Sequence, residues 1–305
     1  MKNELSFNEM ALLWLADKSA YVKRSTLSIY SVHLHKHLIP AFGHLTSVSE
    51  SDVQAFVNGR LATGLCQKTV KDIVVVLVMI LRYAAKYYAW EFRPMDIRYP
   101  PIRMNPSLQV FTISQQRRLM QYLSQNVSPY NVGIALCLGT GMRIGEICAL
   151  TWEDLDLKSG LVRVSKTLQR IYLGSHHSEV VIGTPKTRYS YREIPLSASL
   201  VTLLRPLKQT ARPQDYILTG GPKPTEPGPY RAYFQRLLSN LGFPSIRFHG
   251  LRHSFATRCI EYKCDYKTVS ALLGHANIST TLNLYVHPGL AQKKKCVNRA
   301  ARGLM

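Results

Sequence analysis

The sequence predicts a mainly α protein with a small β-sheet, arranged as a helical N-terminal domain followed by a mixed α+β domain. Three observations lead there. Apolar residues recur at helical spacing through most of residues 5–92. A stretch with four prolines and three arginines follows, RPMDIRYPPIRMNPSLQV at 93–110. Beyond it, short β-branched runs sit between helical segments. At 305 residues the chain is long for one core and comfortable for two. The expected boundaries are 1–92 for the first domain, 93–110 for a basic linker and 111–305 for the second domain with its C-terminal tail.

The first domain reads as four helices. Ser6 and Glu9 form a capping box that opens the first. A second runs from about Ser25 to His37 and is expected to stop before Pro40. A third starts after the Ser-rich SESD and ends at Gly64. The fourth, about 67–89, carries a β-branched run that a buried strand would also show. Periodicity decides for helix: Val70, Ile73, Val74, Leu77, Ile80, Leu81 and Ala84 fall on one stripe. Lys68, Lys71, Arg82 and Lys86 fall together on the opposite face. A solvated face explains these four equally well by themselves. With Lys23 and Arg24 opening the second helix, a phosphate-contacting surface becomes the favoured reading.

The linker's prolines resist helix and sheet and predict a stiff, extended connection. Thr112 and Gln115 then form a second capping box. Helices flank GTGMRIGEICAL (139–150), strands are expected in LVRVSKTL, EVVIG and SYREIPL, and helices resume from about Tyr230.

Composition narrows the function. Lys and Arg number 39 against 18 acidic residues, a net charge of +21, which favours nucleic acid over membranes or acidic proteins as partner. The longest apolar run, IVVVLVMIL at 73–81, is too short for a bilayer, which needs about 20 residues. MALLWLA near the N-terminus is too short for a signal peptide and has Glu4, Glu9 and Asp17 around it. The six cysteines show no CxxC pair and read as reduced thiols of a cytoplasmic protein. Cys259 and Cys264 fit no common zinc spacing.

Several residues carry possible chemistry, and each is ordinary in isolation. Arg143 follows the Gly139-Thr140-Gly141 break and projects at a helix start, where an arginine fork suits a phosphate. His249 and Arg252 share a helix face at i, i+3, which also describes a plain surface pair. Lys186 sits in TPKTR between two strands, where a hairpin tip can carry it into a groove as a proton donor. His275 and Tyr285 follow in GHANISTTLNLYVHP. Jointly they supply what attack on a phosphodiester requires: compensation for non-bridging oxygens, an acid for the leaving oxygen and a nucleophile. No GxxxxGK[ST] loop or acidic Mg²⁺ cluster accompanies them. A covalent tyrosyl route needs neither, so no metal and no cofactor is expected.

This set resembles the tyrosine recombinase (phage integrase) family of site-specific DNA recombinases, and the resemblance covers essentially the whole chain. TGMRIGEICALTWEDLDL, with Arg143 and Glu146, is similar to the family's first-arginine box. Lys186 matches its β-hairpin lysine, HGLRHSFAT its H-x-x-R box, and LLGHANISTTLNLYVH its closing box with His275 and the nucleophile Tyr285. Arg252 and Tyr285 lie 33 positions apart, as is usual there. Gly250 departs from the pattern, since many members carry an acidic residue after the histidine. The resemblance implies a core-binding (SAM-like) first domain and a tyrosine-recombinase catalytic domain that together clamp a duplex. It also implies inverted-repeat core sites on double-stranded DNA, a synaptic tetramer of copies of the chain, no membrane partner, and tail residues exchanged between subunits. Tyr285 would form a 3′-phosphotyrosyl link without metal or ATP. Arg143 and Arg252 would hold the phosphate, Lys186 would protonate the leaving oxygen, His249 would assist proton transfer and His275 would bond the phosphate. A type IB topoisomerase and a non-cleaving basic DNA-binding protein are the alternatives.

Overall fold

In the computed structural model, residues 5–101, 109–172, 177–184, 188–285, 294, 297, 298 and 301 are described. The chain forms two compact units. The first holds residues 1–105 with 170–180, the second 106–169 with 181–305.

Apart from the strand residues within 170–180, the first unit is helical, as expected. Helix α1 (Phe7–Ser19) opens on the Ser6–Glu9 capping box, with the Ser6 amide donating to Glu9 Oε2 at 2.7 Å. Helix α2 (Arg24–His33) does not end before Pro40. It runs into a π-turn, Leu34–Leu38, and then into α3 (Ile39–Phe42). The Ile39 amide reaches back five residues to Leu34 O, and Pro40 falls in the first turn of α3, where its missing N–H leaves no bond unmade. Helix α4 (Glu50–Ala62) begins inside SESD, because Ser49 is itself the cap and its hydroxyl accepts from the Asp52 amide.

Helix α5 (Gln67–Tyr88) is the centre of this unit. Val70, Ile73, Val74, Leu77, Ile80, Leu81 and Ala84 are all buried, each large apolar side chain contributing about 1.5–3 kcal/mol. They pack against Phe7, Trp14, Leu34, Leu38, Val53 and Val57. The proline-rich stretch is extended, yet as far as Pro100 it is docked on this core. Trp90, Phe92, Met95, Ile97 and Tyr99 pack there. Gln54 accepts from the Arg98 amide at 2.9 Å and donates to its carbonyl at 3.1 Å.

The second unit mixes α and β. Its core surrounds α7 (Pro129–Thr140), which is apolar on all sides and buried from Val132 to Leu138. Helix α6 (Ile113–Gln125) starts at the Thr112–Gln115 capping box. Helix α8 (Ile144–Cys148) follows α7 directly. An antiparallel sheet has the order β1 (Leu155–Asp156), β2 (Leu161–Val164), β5 (Arg192–Pro195), with Val164 opposite Arg192. LVRVSKTL is not one strand: it breaks at Ser165–Lys166, where Lys166 pairs with Asp154 at 3.0 Å. Beyond the break, β3 (Thr167–Tyr172) pairs with β4 (Ser178–Gly183) in a separate ribbon. Among the described residues the strands flanking TPKTR therefore belong to different sheets, and do not form the expected hairpin.

Helix α9 (Ala198–Lys208), capped by Ser197 and burying Leu200, Leu203 and Leu204, has no counterpart in the expectations from sequence. The chain then forms α10 (Pro227–Asn240), α11 (His249–Glu261), α12 (Tyr266–Leu273) and α13 (Ile278–Tyr285), with α11 packed on α7. No helix among the described residues is long and apolar enough to cross a membrane.

Candidate active site

Three arginines converge on the C-terminal end of α12. Arg192 Nε donates to Leu272 O at 2.6 Å, Arg252 Nη2 to Leu273 O at 2.7 Å and Arg143 Nη2 to Gly274 O at 3.3 Å. These carbonyls are the last of a helix, where the dipole is negative and no amide follows to satisfy them. A second helix end contributes too: Gly141 O, after α7, accepts from Arg252 Nη1 at 2.8 Å. Both glycines are left-handed, Gly141 at φ 69° and Gly274 at φ 65°. A Cβ on Gly141 would lie 2.5 Å from the Phe255 ring, and one on Gly274 3.0 Å from Tyr189 O. The glycines of TGMR and LLGH thus let two helix ends turn and approach the arginines.

One carboxylate orders the group. Glu146 is 3% exposed and takes Arg192 in a two-pronged pair, Nη1–Oε1 at 3.1 Å and Nη2–Oε2 at 2.9 Å. It also accepts from Arg143, at 2.9 Å from Nη1 and 2.8 Å from the amide. Burial would raise the Glu146 carboxyl, but the Arg192 hydrogen bonds and the charges of Arg192 and Arg143 outweigh it and hold it below its ordinary value. Three cations face one anion, so the cluster stays positive. Arg252 is 1% exposed, and burial with Arg143 nearby brings its guanidinium down to about 9, still charged at neutral pH.

Tyr285 ends α13 and is buried against Ala256, Val269 and Leu273. Its hydroxyl lies 2.7 Å from His253 Nδ1. Burial raises the phenol, and the charges of Arg252 and Arg143 oppose that without cancelling it, so the hydroxyl keeps its proton at neutral pH. His253 packs edge-on against His249, with ring centroids 4.5 Å apart. Desolvation and then the charges of His253, Arg252 and Arg143 pull His249 down to about 4. His275, held by Thr281 at 2.8 Å, is drawn down to about 4 by burial and by Arg252, Arg143, Arg192 and His249.

Arg143, His249, Arg252, His275 and Tyr285 therefore share one electrostatic neighbourhood in the second unit. Lys186 lies outside the described residues, as do Arg103 in the linker and nearly all of the tail after Tyr285. The six cations expected to meet DNA, Lys23, Arg24, Lys68, Lys71, Arg82 and Lys86, are exposed. Lys71 sits over the Tyr99 ring at 4.7 Å and Arg82 over Phe92 at 5.6 Å, which ties the extended stretch to α5. Lys86 lies over Tyr87, Lys68 pairs with Asp72 at 3.5 Å, Arg24 pairs with Glu179, and Lys23 stands at the first position before α2.

Sequence reasoning missed Arg192 and passed over His253 as a participant. Arg192 had a signal: it precedes the buried Ile194 by two on β5, so it points to the same inward face and needs a buried acid. Gly250 now has a physical reason, since a Cβ there would lie 2.3 Å from Ile246 Cγ2.

A cluster of arginines and histidines beside a buried tyrosine, in a mixed α and β unit that follows a helical one, is matched by the comparisons with known proteins. The sequence profile of the phage integrase family matches residues 109–291, and that of the phage integrase N-terminal SAM-like domain matches 6–60. The chain is 25% identical over 303 residues to a tyrosine recombinase XerC-like protein of Caldanaerobacter subterraneus subsp. tengcongensis, covering 90% of this chain and 77% of that one. It is 22% identical to the ICEBs1 integrase of Bacillus subtilis, covering 93% and 79%. Among solved structures, the Tn1549 transposon integrase with a circular intermediate DNA superposes with a TM-score of 0.79 at 22% identity, over 97% of this chain and 99% of that one. Lambda integrase bound to DNA gives 0.64 at 18%, over 89% and 92%. The chain belongs to the phage integrase family. It is a tyrosine-type site-specific recombinase, an enzyme that cleaves and rejoins DNA strands.

Proposed function

We propose that Tyr285 is the nucleophile and that the cluster around the end of α12 receives the scissile phosphate. The observation that carries this is the Tyr285 hydroxyl, buried beside a group in which three arginines face a single carboxylate. Arg143 and Arg252 hold the non-bridging oxygens, and His275 donates to the phosphate. His249 serves the proton traffic at the tyrosine. Lys186 protonates the departing 5′-oxygen. The Tyr285 oxygen bonds to phosphorus as the P–O5′ bond breaks, giving a 3′-phosphotyrosine and a free 5′-hydroxyl. A partner strand's 5′-hydroxyl reverses the step; the bond energy stays in the covalent link, so no ATP is needed, and the arginines supply the charge compensation that a metal ion would otherwise give.

The partner is double-stranded DNA with inverted-repeat core sites, contacted in the first unit through Lys23, Arg24, Lys68, Lys71, Arg82 and Lys86. Four copies of the chain assemble on two such sites in the cytoplasm. Solved relatives support this: the Tn1549 integrase was seen with circular intermediate DNA, and lambda integrase as a tetramer on a Holliday junction. The test is a nicked suicide substrate analysed on a denaturing gel. Tyr285→Phe should bind DNA and give no covalent band, and a persisting slow band would move the nucleophile elsewhere. Cleavage should proceed in EDTA; loss restored by Mg²⁺ would contradict the proposal.

A further inference from the structure

We infer that His253, the residue after the H-x-x-R arginine, is the general base that takes the proton from Tyr285. The inference rests on Tyr285 being the nucleophile. Its warrant is contact: His253 Nδ1 is 2.7 Å from the Tyr285 oxygen, the distance of a proton-transfer pair. The His249 ring lies behind it, 4.5 Å away.

Local structure fixes the pair. Arg252 and His253 are neighbours on α11, so they project about 100° apart. Arg252 turns into the core toward Gly141 and Leu273, and His253 turns toward α13. The residue that anchors the cluster thereby places its neighbour on the nucleophile. Among the described residues, the titratable and charged groups facing His253 are Tyr285 from α13 and His249 and Arg252 from its own helix. Arg143, at the start of α8, acts on both Tyr285 and His249.

Protonation states agree with the role. Burial and then Arg252 lower His253, leaving the ring neutral at neutral pH, with Nδ1 free to accept when the ring proton sits on Nε2. Tyr285, raised by burial, needs a base rather than spontaneous ionisation. An arriving phosphodiester adds negative charge beside both groups and makes the imidazolium easier to form. In the step, the proton moves from Tyr285 Oη to His253 Nδ1, Oη bonds to phosphorus, and the P–O5′ pair leaves with the 5′-oxygen. No oxidant or further reactant is needed. In rejoining, His253 returns the proton to the tyrosine.

The experiment is single-turnover cleavage of a half-site carrying a 5′-bridging phosphorothiolate, followed from about pH 6 to 9. The sulfur leaving group needs no acid, so the profile reports only the tyrosine's base. The unaltered protein should rise with pH and level off above the His253 pKa. His253→Ala should be slower at pH 7 by about 10²–10⁴ and keep rising by about tenfold per pH unit as tyrosinate forms unaided. His253→Asn keeps a hydrogen-bonding group near the Nδ1 position without a basic nitrogen, and should stay slow with the same climbing profile. Wild-type rate and profile in His253→Asn would assign His253 to holding the tyrosine in place and overturn the inference, as would an unimpaired His253→Ala. Half-site gel shifts and thermal melts confirm that the variants fold and bind. For the unaltered protein, ¹⁵N-histidine spectra should place the His253 proton on Nε2, and a proton on Nδ1 would also overturn the inference. If wild type forms no covalent adduct, the nucleophile assignment fails instead, which separates the two.

Discussion

The cations of the two units are held in opposite ways. In the second unit Arg143, Arg192 and Arg252 are fixed from behind by helix-end carbonyls and one buried carboxylate. In the first unit Lys71, Arg82 and Lys86 lie over Tyr99, Phe92 and Tyr87 on an exposed face. Carbonyl dipoles and Glu146 orient the first group while leaving its net charge positive, which a transition state with developing negative charge requires. Aromatic faces hold the second group weakly and leave long side chains free to shift from ring to phosphate. The contrast fits the proposed roles, preorganised charge for the reaction and adaptable charge for holding DNA.

The largest break in this contrast should come at Glu146. Glu146→Gln leaves Arg192 and Arg143 facing each other without an anion, and removing one partner of a buried pair lowers stability by about 3–5 kcal/mol. Denaturant unfolding measures it; a loss below about 1 kcal/mol, the range of surface pairs, would mean that solvent reaches the cluster. Next is Arg252→Ala, expected to slow cleavage by about 10²–10³ with half-site binding retained. Equal losses in binding and rate would make Arg252 a binding residue.

A smaller effect sharpens the electrostatic side. His249 and His275 sit near pH 4 when folded, against about 6.5 in an unfolded chain. Between those values the unfolded state binds more protons, so stability is present above about pH 6.5 and is lost as pH falls toward 4. The double variant His249→Asn, His275→Asn should flatten the melting temperature across that window; an unchanged slope would place the titration elsewhere. The smallest effect belongs to the first unit. Replacing Lys68, Lys71, Arg82 and Lys86 together should weaken specific and random DNA alike, lowering the slope of log affinity against log salt by up to about 0.9 per lost contact. An unchanged slope would leave that face to solvent and to the docked stretch.

Much of the cluster was legible because Arg143, His249, Arg252, His275 and Tyr285 stand in recognisable boxes at fixed spacing, and the fold brings those boxes into one electrostatic neighbourhood. What supports them was harder to read. The arginine bonds to Leu272, Leu273 and Gly274 end on main-chain carbonyls, and no side chain at those positions announces them. Arg192 lies in a four-residue strand, where the inward face rests on a single alternation with Ile194. His253 stands beside the arginine that dominates its box, and only the packing of α13 on α11 shows what it touches. In the first unit the 3.6-residue stripe of α5 was plain. The passage of the chain through Pro40 was not, because a π-turn depends on a backbone bond of unusual span. The docking of residues 90–100 rests on apolar side chains set among prolines that read as a spacer.

The oxygen of Tyr285 is proposed to make the covalent link to DNA, and peptide mapping of the trapped complex reads that bond itself. Protein captured on a nicked suicide half-site is digested with protease and nuclease, and the modified peptide is sequenced by mass spectrometry. The nucleotide is expected on Tyr285, within the segment that ends α13. A nucleotide found on any other residue, or a strand cleaved with no nucleotide left on the protein, would contradict it.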